Sequence, residues 1–165
     1  MAERQPLEGL PLGEVFRSPS RTLSTGECAL LTDLTWTIGP VHSDHEYAAG
    51  TMFGSVVLGA PIMVPIIGGL WTQSRHAQYL KESGYRVVSA LGVEARYRHP
   101  FRFGDTVHVE SQIADGRTSA SRPDQGVVVI ADRALNQDGL VVLEQRRTQL
   151  VGRIDPRDAR MAGGG

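Results

Sequence analysis

A single cysteine, Cys28, occurs in the whole chain, which rules out an internal disulfide framework. Cys28 has no CxxC partner and falls in a helical pattern, so the expectation is a small buried thiol rather than a nucleophile. Aromatic residues are scarce at 6%, too few to build a stacking platform for single-stranded nucleic acid. Charge of one sign is also lacking. The 17 basic and 18 acidic side chains leave a net charge of -1, with no electrostatic case for nucleic-acid binding. The least polar stretch, Tyr47 to Ser74, carries no charge. Its continuous apolar part, Val56 to Trp71, falls short of the roughly 18–20 residues a membrane span requires. It is also interrupted by Pro61, Pro65, Gly68 and Gly69. A segment apolar all round but too short to cross a bilayer is expected to be a core helix. His45, His76, His99 and His108 show no metal-ligand spacing with Cys28 or with one another, so no metal is expected. The start, Met1-Ala2-Glu3-Arg4, leads into Pro and Gly rather than an apolar signal region, and the expected location is the cytoplasm.

What is present suffices for one domain, since 41% of the residues are hydrophobic. Ser24-Thr25-Gly26-Glu27 has the S-x-x-E spacing of a capping box, followed by apolar residues Ala29, Leu30, Leu31 and Leu34 at helical spacing. This predicts a helix from about Thr25 to Thr35, after a short strand near Val15 to Leu23. Thr37 to Ala49 reads as a loop opening into a helical turn. The main helix is predicted from Ala60 to just before Gly84. Pro61 suits a first turn, while Pro65 should bend the helix or delay its regular start. Beyond Tyr85 the chain reads as strand. Val87, Leu91, Val93, Ala95 and Tyr97 share one parity, and Val107, Val109, Ser111 and Ile113 repeat it. Val127–Leu135 and Leu140–Val151 flank the turn Asn136-Gln137-Asp138-Gly139. Helices followed by closely connected strands predict an α+β fold, with an antiparallel sheet curled around a long central helix. Residues 1–13 read as a leader, 14–153 as the domain, and 154–165, ending in three glycines, as a disordered tail.

The chemistry concentrates in Thr37-Ile38-Gly39-Pro40-Val41-His42-Ser43-Asp44-His45-Glu46-Tyr47-Ala48, continuing through Phe53-Gly54 to Gly59. This stretch resembles the hydratase-2 motif of the MaoC family of acyl-thioester hydratases and dehydratases. That motif runs roughly G-D-x-N-P-x-H-x-D-x-x-x-A, then F-G and a glycine ahead of the long helix. Pro40, His42, Asp44, Ala48, Phe53-Gly54 and Gly59 match. His99-Pro100-Phe101-Arg102-Phe103-Gly104-Asp105-Thr106 is similar to the family's P-V-x-x-G-D-T, and Ser121-Arg122-Pro123 and Asn136-Gln137-x-Gly139 fit its later part. The likeness spans about residues 20–152.

The resemblance implies a hotdog fold, and dimers that pair sheets edge to edge with sites at the interface. It also implies an Asp–His pair that adds water across the C2–C3 double bond of an enoyl thioester. That thioester is carried on coenzyme A or an acyl carrier protein, and amides near the start of the long helix polarise its carbonyl. Such chemistry needs fixed N–H donors where charge builds up and groups that titrate near neutral pH, and no cofactor. His42 fills the acid–base place, and Gly59 and Ala60 the amide place. The family's Asp, five residues before the His, is here Thr37, and its Asn is Gly39. A threonine hydroxyl can orient water but is no base at neutral pH. Asp44 can orient the His42 imidazole or cap the helix that follows it, and Asp33, one turn before Thr37, can face the same site or solvent. Gly39, Gly54 and Asp105 read as turn residues. Two other readings remain beside a hydratase or dehydratase. One is a non-catalytic acyl-binding subunit; the other is a hotdog enzyme with different thioester chemistry, such as hydrolysis.

Overall fold

Ser24 opens the first helix as the capping-box spacing predicts: its hydroxyl accepts the Glu27 amide at 3.2 Å, and its own amide donates to the Glu27 carboxylate at 2.9 Å. The Ser24 amide and the Arg21 guanidinium together hold the exposed Glu27 carboxyl down to a pKa of about 2. The computed structural model describes residues 7, 9–119, 122 and 124–154. The tail at 155–165, and Ser121 and Pro123 of the family-like stretch, lie outside the described residues.

Two short strands, β1 (Phe16–Arg17) and β2 (Arg21–Thr22), precede helix α1 (Thr25–Leu34). Two brief helices follow, α2 (Pro40–Ser43) and α3 (His45–Ala49). A 3-10 turn at Ala60–Ile62 leads into α4 (Met63–Thr72) and then α5 (Arg75–Glu82). The rest is β3 (Tyr85–Tyr97), β4 (Thr106–Thr118), β5 (Gln125–Leu135) and β6 (Val141–Arg153). The sheet runs β1-β4-β5-β6-β3, with β2 also pairing on β4, and every strand pair is antiparallel. The residues assigned to a leader reach this sheet: Leu10 is buried, and the Gly13 amide donates to the Ile113 carbonyl at 2.9 Å.

The main helix begins at Ala60 as predicted, but differs from the sequence expectation in two ways. Its first turn is 3-10, and regular α-helix starts at Met63, which puts Pro65 within the first turn, where a missing N–H costs no helical bond. The helix also breaks after Thr72. Ser74 turns its hydroxyl onto the Trp71 carbonyl at 2.6 Å, and α5 restarts from an extended Ser74. The break falls where the apolar run ends, and the polar α5 keeps Leu80 as its buried contact with the core.

Met63, Ile67 and Leu70 of α4 pack on Val107 and Val109 of β4, Ala134 of β5 and Leu143 of β6. Trp71 and Leu80 join Ile113, Val128, Ile130 and Val151 in an adjoining cluster. Each such aliphatic side chain, once buried, contributes roughly 1.5–3 kcal/mol. Strand β3 departs from its alternation. Its pairing with β6 slips between Val87 and Ser89 and again between Ala90 and Gly92, so Leu91 falls in a bulge. Val93 and Tyr97 lie on the helix side, opposite Arg147 and Leu143, yet each is 46% exposed. Among the described strands β3 has a free long edge, and in its later half only Ala95 is partly buried, packed on the α4 cluster.

Polar side chains interrupt the helix-facing side of the sheet. Ser111, Asp132, Gln145, Arg147 and Gln149 occupy core-facing positions and are buried. Asp132 accepts bonds from Arg147 Nε at 2.6 Å, Arg147 Nη2 at 3.0 Å, Gln145 Nε2 at 2.9 Å and the Ser111 hydroxyl. The Arg147 guanidinium stacks 4.7 Å over the Trp71 ring, which ties this network to the central helix.

Candidate functional site

Helix α1 ends in a Schellman turn: the Trp36 amide donates to the Asp33 carbonyl at 3.1 Å and the Thr37 amide to the Thr32 carbonyl at 3.0 Å. Trp36 takes the left-handed position of that turn, with φ 58°, in the place the family motif gives to glycine. A non-glycine residue there carries roughly 1–2 kcal/mol of strain. The turn reverses the chain and aims Thr37 at the start of the central helix.

There Thr37 meets Gly59. A Cβ built on Gly59 would lie 2.6 Å from the Thr37 methyl, and the Thr37 hydroxyl is held 3.0 Å from that of Thr35. Glycine at 59 is therefore a requirement of close approach. Gly59→Ala is expected to push Thr37 away and cost about 1–3 kcal/mol. Urea unfolding measures this, and an unchanged midpoint would mean that Thr37 does not pack here. Gly59 is buried. Among the described residues neither its amide nor that of Ala60 has a hydrogen-bond acceptor, although the neighbouring Leu58 amide donates to the Phe101 carbonyl at 2.8 Å.

Pro40 starts α2 and presents His42 in its last turn. The His42 Nδ1 lies 2.7 Å from the Val57 carbonyl oxygen. A carbonyl only accepts, so Nδ1 carries the proton, and the neutral ring keeps its lone pair on Nε2. The Val57 amide in turn donates to the Val41 carbonyl at 3.3 Å. The strip Val57–Gly59 thus connects His42 to the head of the central helix. Asp44 sits at the N-cap of α3, its carboxylate accepting the Tyr47 amide at 3.0 Å. Asp44 therefore acts as a cap, and among the described residues no hydrogen bond joins it to His42. Asp105 braces its turn through the Arg102 amide at 2.8 Å and the Gln137 side chain at 2.7 Å.

A cavity of about 190 Å³ lies under α1, lined among others by Thr32, Asp33, His42, His45, Val56 and Phe103. Thr32 is 2% exposed, and its hydroxyl has no hydrogen-bond partner among the described residues. Helical periodicity marks Thr32 as inward-facing but gives no sign of an unpaired hydroxyl. The structure therefore brings Thr37, Gly59, Ala60 and His42 to one strip and sets Asp33 and His42 around one cavity. Cys28 is buried, and burial pushes its thiol pKa up, away from a nucleophile's range. No group of three or more His, Cys, Asp or Glu side chains that could hold a metal occurs among the described residues.

Residues 34–145 match the family model for the FAS1-like dehydratase domain region. The chain belongs to that dehydratase family. Among solved structures, this dehydratase-family domain is similar to the MaoC-like dehydratase from Rhodospirillum rubrum. The two are 27% identical with a TM-score of 0.74, covering 90% of this chain and 97% of that one. It shares its fold with the (R)-hydratase from A. caviae involved in PHA biosynthesis, at 21% identity and TM-score 0.64, over 89% of this chain and 99% of the other. It shares it also with a conserved hypothetical protein from Mycobacterium tuberculosis described as a double hotdog. That pair is 19% identical with TM-score 0.72, over 89% of this chain and 44% of the other. No curated protein matches the chain. The domain is a hotdog of the MaoC type, an α+β fold as its sequence predicts. No helix among its described residues is long and apolar enough to cross a membrane.

Proposed function

We propose that this domain is a hydro-lyase that adds water to an enoyl thioester, or removes it from a 3-hydroxyacyl thioester, on coenzyme A or an acyl carrier protein. The observation that carries the reading is a pair of amides, Gly59 and Ala60, unpartnered among the described residues at the head of the central helix, on the strip that also holds a histidine whose free nitrogen is Nε2. The thioester oxygen accepts the two N–H groups, and the positive end of the helix favours the charge that builds on it as water attacks C3. Nε2 of His42 takes the water proton. Neither role needs a metal or a cofactor. The expected compartment is the cytoplasm.

Thr37 separates this reading from a non-catalytic acyl-binding subunit and from an enzyme with other thioester chemistry. An Asp side chain at 37 branches at Cγ rather than Cβ, so its carboxylate would stand one bond further out than the Thr37 hydroxyl and methyl. For a weakened hydratase, Thr37→Asp is expected to raise crotonyl-CoA hydration by about 10- to 1000-fold. In a protein with different chemistry the same change lowers native turnover, because a charge enters a pocket not built to solvate it. No change in either assay would remove Thr37 from the site.

The same reading includes a homodimer with two sites, joined through β3. Its edge is unpaired among the described strands, and Val88, Leu91 and Val93 are exposed along it. A long apolar edge strand is a template for pairing, and two-fold closure is the commonest assembly. Light scattering at micromolar concentration is expected to give twice the 17.9 kDa chain mass. A value at the single-chain mass overturns the dimer.

A further inference from the structure

We infer that charges on the outer face of the sheet fix how two copies of this chain join, with β3 pairing antiparallel to the partner's β3 about a two-fold axis at Ala95. The inference rests on the dimer proposed above and adds its register and the residues that select it. Val109, Asp132, Leu143 and Gln145 are buried on the helix side, so their strand neighbours point the other way. On that outer face Arg17, Glu110, Arg133, Glu144 and Arg96 stand directly opposite one another across β1, β4, β5, β6 and β3. The charge changes sign at every step. A second row, Ala131, Arg146 and Glu94, reaches the same free edge. Within the chain Arg133 pairs with Glu110 at 3.3 Å, and Arg98 holds Glu144 at 2.6 Å. Glu94 and Arg96 end the two rows. Both are exposed, and neither makes an ion pair among the described residues.

A continuous sheet with both central helices on one side requires opposed residues to share a face. Two copies of β3 can therefore pair only in registers where one residue meets itself on the axis. The edge charges separate these registers, because opposite charges directly across a strand pair favour it and like charges oppose it. With Ala95 on the axis, Glu94 meets the partner's Arg96 on both sides, and each row of alternating charge runs on into the other copy. With Glu94 or Arg96 on the axis, a residue faces its own charge. The second of these also brings Glu94 to Arg98, which Glu144 already holds. With Val93 there, Glu94 faces Gly92 and Arg96 faces Ala90, and no charge is matched. The register at Ala95 also covers the apolar side. Val93 and Tyr97, each 46% exposed, meet the partner's Tyr97 and Val93, an aliphatic–aromatic pair made twice. The exposed charges choose the register, while the edge hydrogen bonds and this apolar contact hold the dimer.

The test is disulfide trapping in the full chain, with Ala95→Cys and Val93→Cys made separately. Residues directly opposed across an antiparallel pair have Cα atoms about 4.5–5.5 Å apart, within disulfide reach. Cys28 is buried and does not compete. Under mild oxidation Ala95→Cys is expected to give a covalent dimer on non-reducing electrophoresis, and Val93→Cys to stay a single chain. Trapping at Val93 instead, or at neither position, overturns the register. In sedimentation across a dilution series, Glu94→Arg and Arg96→Glu are each expected to raise the dimer dissociation constant about 10- to 100-fold, and the double variant to restore it to within a few-fold. The swap mismatches Arg146 and Glu144 inside each chain as the single changes do, so recovery reports the contact between chains. Single variants that dimerise like wild type, or a double variant no better than the singles, also overturn the proposal. A dimer that fails these tests sinks the register and leaves the dimer reading standing, whereas a wild-type monomer sinks both.

Discussion

His42→Ala is expected to lower crotonyl-CoA hydration by about 10²- to 10⁴-fold, the usual contribution of one general acid–base group. The fold should survive the change. His42 is half-buried on the short α2 and belongs to neither apolar cluster around the central helix. Its side-chain hydrogen bond among the described residues, Nδ1 to the Val57 carbonyl at 2.7 Å, contributes about 1 kcal/mol. Thermal unfolding of the variant should therefore lie within a few degrees of wild type. The loss should appear in kcat, with KM little changed, because the ring acts on the proton and the Gly59 and Ala60 amides remain to bind the carbonyl. A variant that keeps most of the wild-type rate would make His42 structural.

The largest effect on stability is expected far from that site. Asp132→Ala would leave the Arg147 guanidinium, 6% exposed, without its carboxylate partner, and removing one member of a buried pair costs about 3–5 kcal/mol. Gln145 and Ser111 also lose their acceptor. Against a total stability of about 5–15 kcal/mol for a domain, this is enough to unfold a substantial fraction of the chain. The pair itself need not be stabilising relative to apolar residues. Replacing both members, as Asp132→Leu with Arg147→Met, is expected to recover most of the loss. Urea unfolding of the single and double variants decides. A shift of less than about 1 kcal/mol for Asp132→Ala would mean that water reaches the pair.

Much of this architecture is legible in the sequence, for identifiable reasons. The Ser24–Glu27 box sets the start of α1 because capping is a local matter of two side chains and two amides. The strands from β3 to β6 follow from period-two patterning and the turn residues between them. The break of the main helix at Gln73–Ser74 is less visible. The change from apolar to polar residues after Thr72 is visible, but the Ser74 hydroxyl turned onto the Trp71 carbonyl is not. The irregular pairing of β3 is hidden for a similar reason, because a bulge is a property of two strands together.

The candidate site divides in the same manner. Pro40, His42 and Gly59 can be picked out by motif, but the contact of the Thr37 methyl with Gly59 needs coordinates. So does the unpaired Thr32 hydroxyl. Asp132 offered a usable signal. It continues the core-facing alternation of Val128 and Ile130, and a carboxylate in that register calls for a buried cation, which Arg147 provides.

The most direct measurement is the loss of crotonyl-CoA enoyl absorbance on incubation with the purified wild-type chain, with His42→Ala run beside it. A hydratase built on the Gly59 and Ala60 amides and His42 predicts protein-dependent formation of 3-hydroxybutyryl-CoA, largely abolished in the variant. Binding of the thioester with no turnover by the wild-type chain would contradict it.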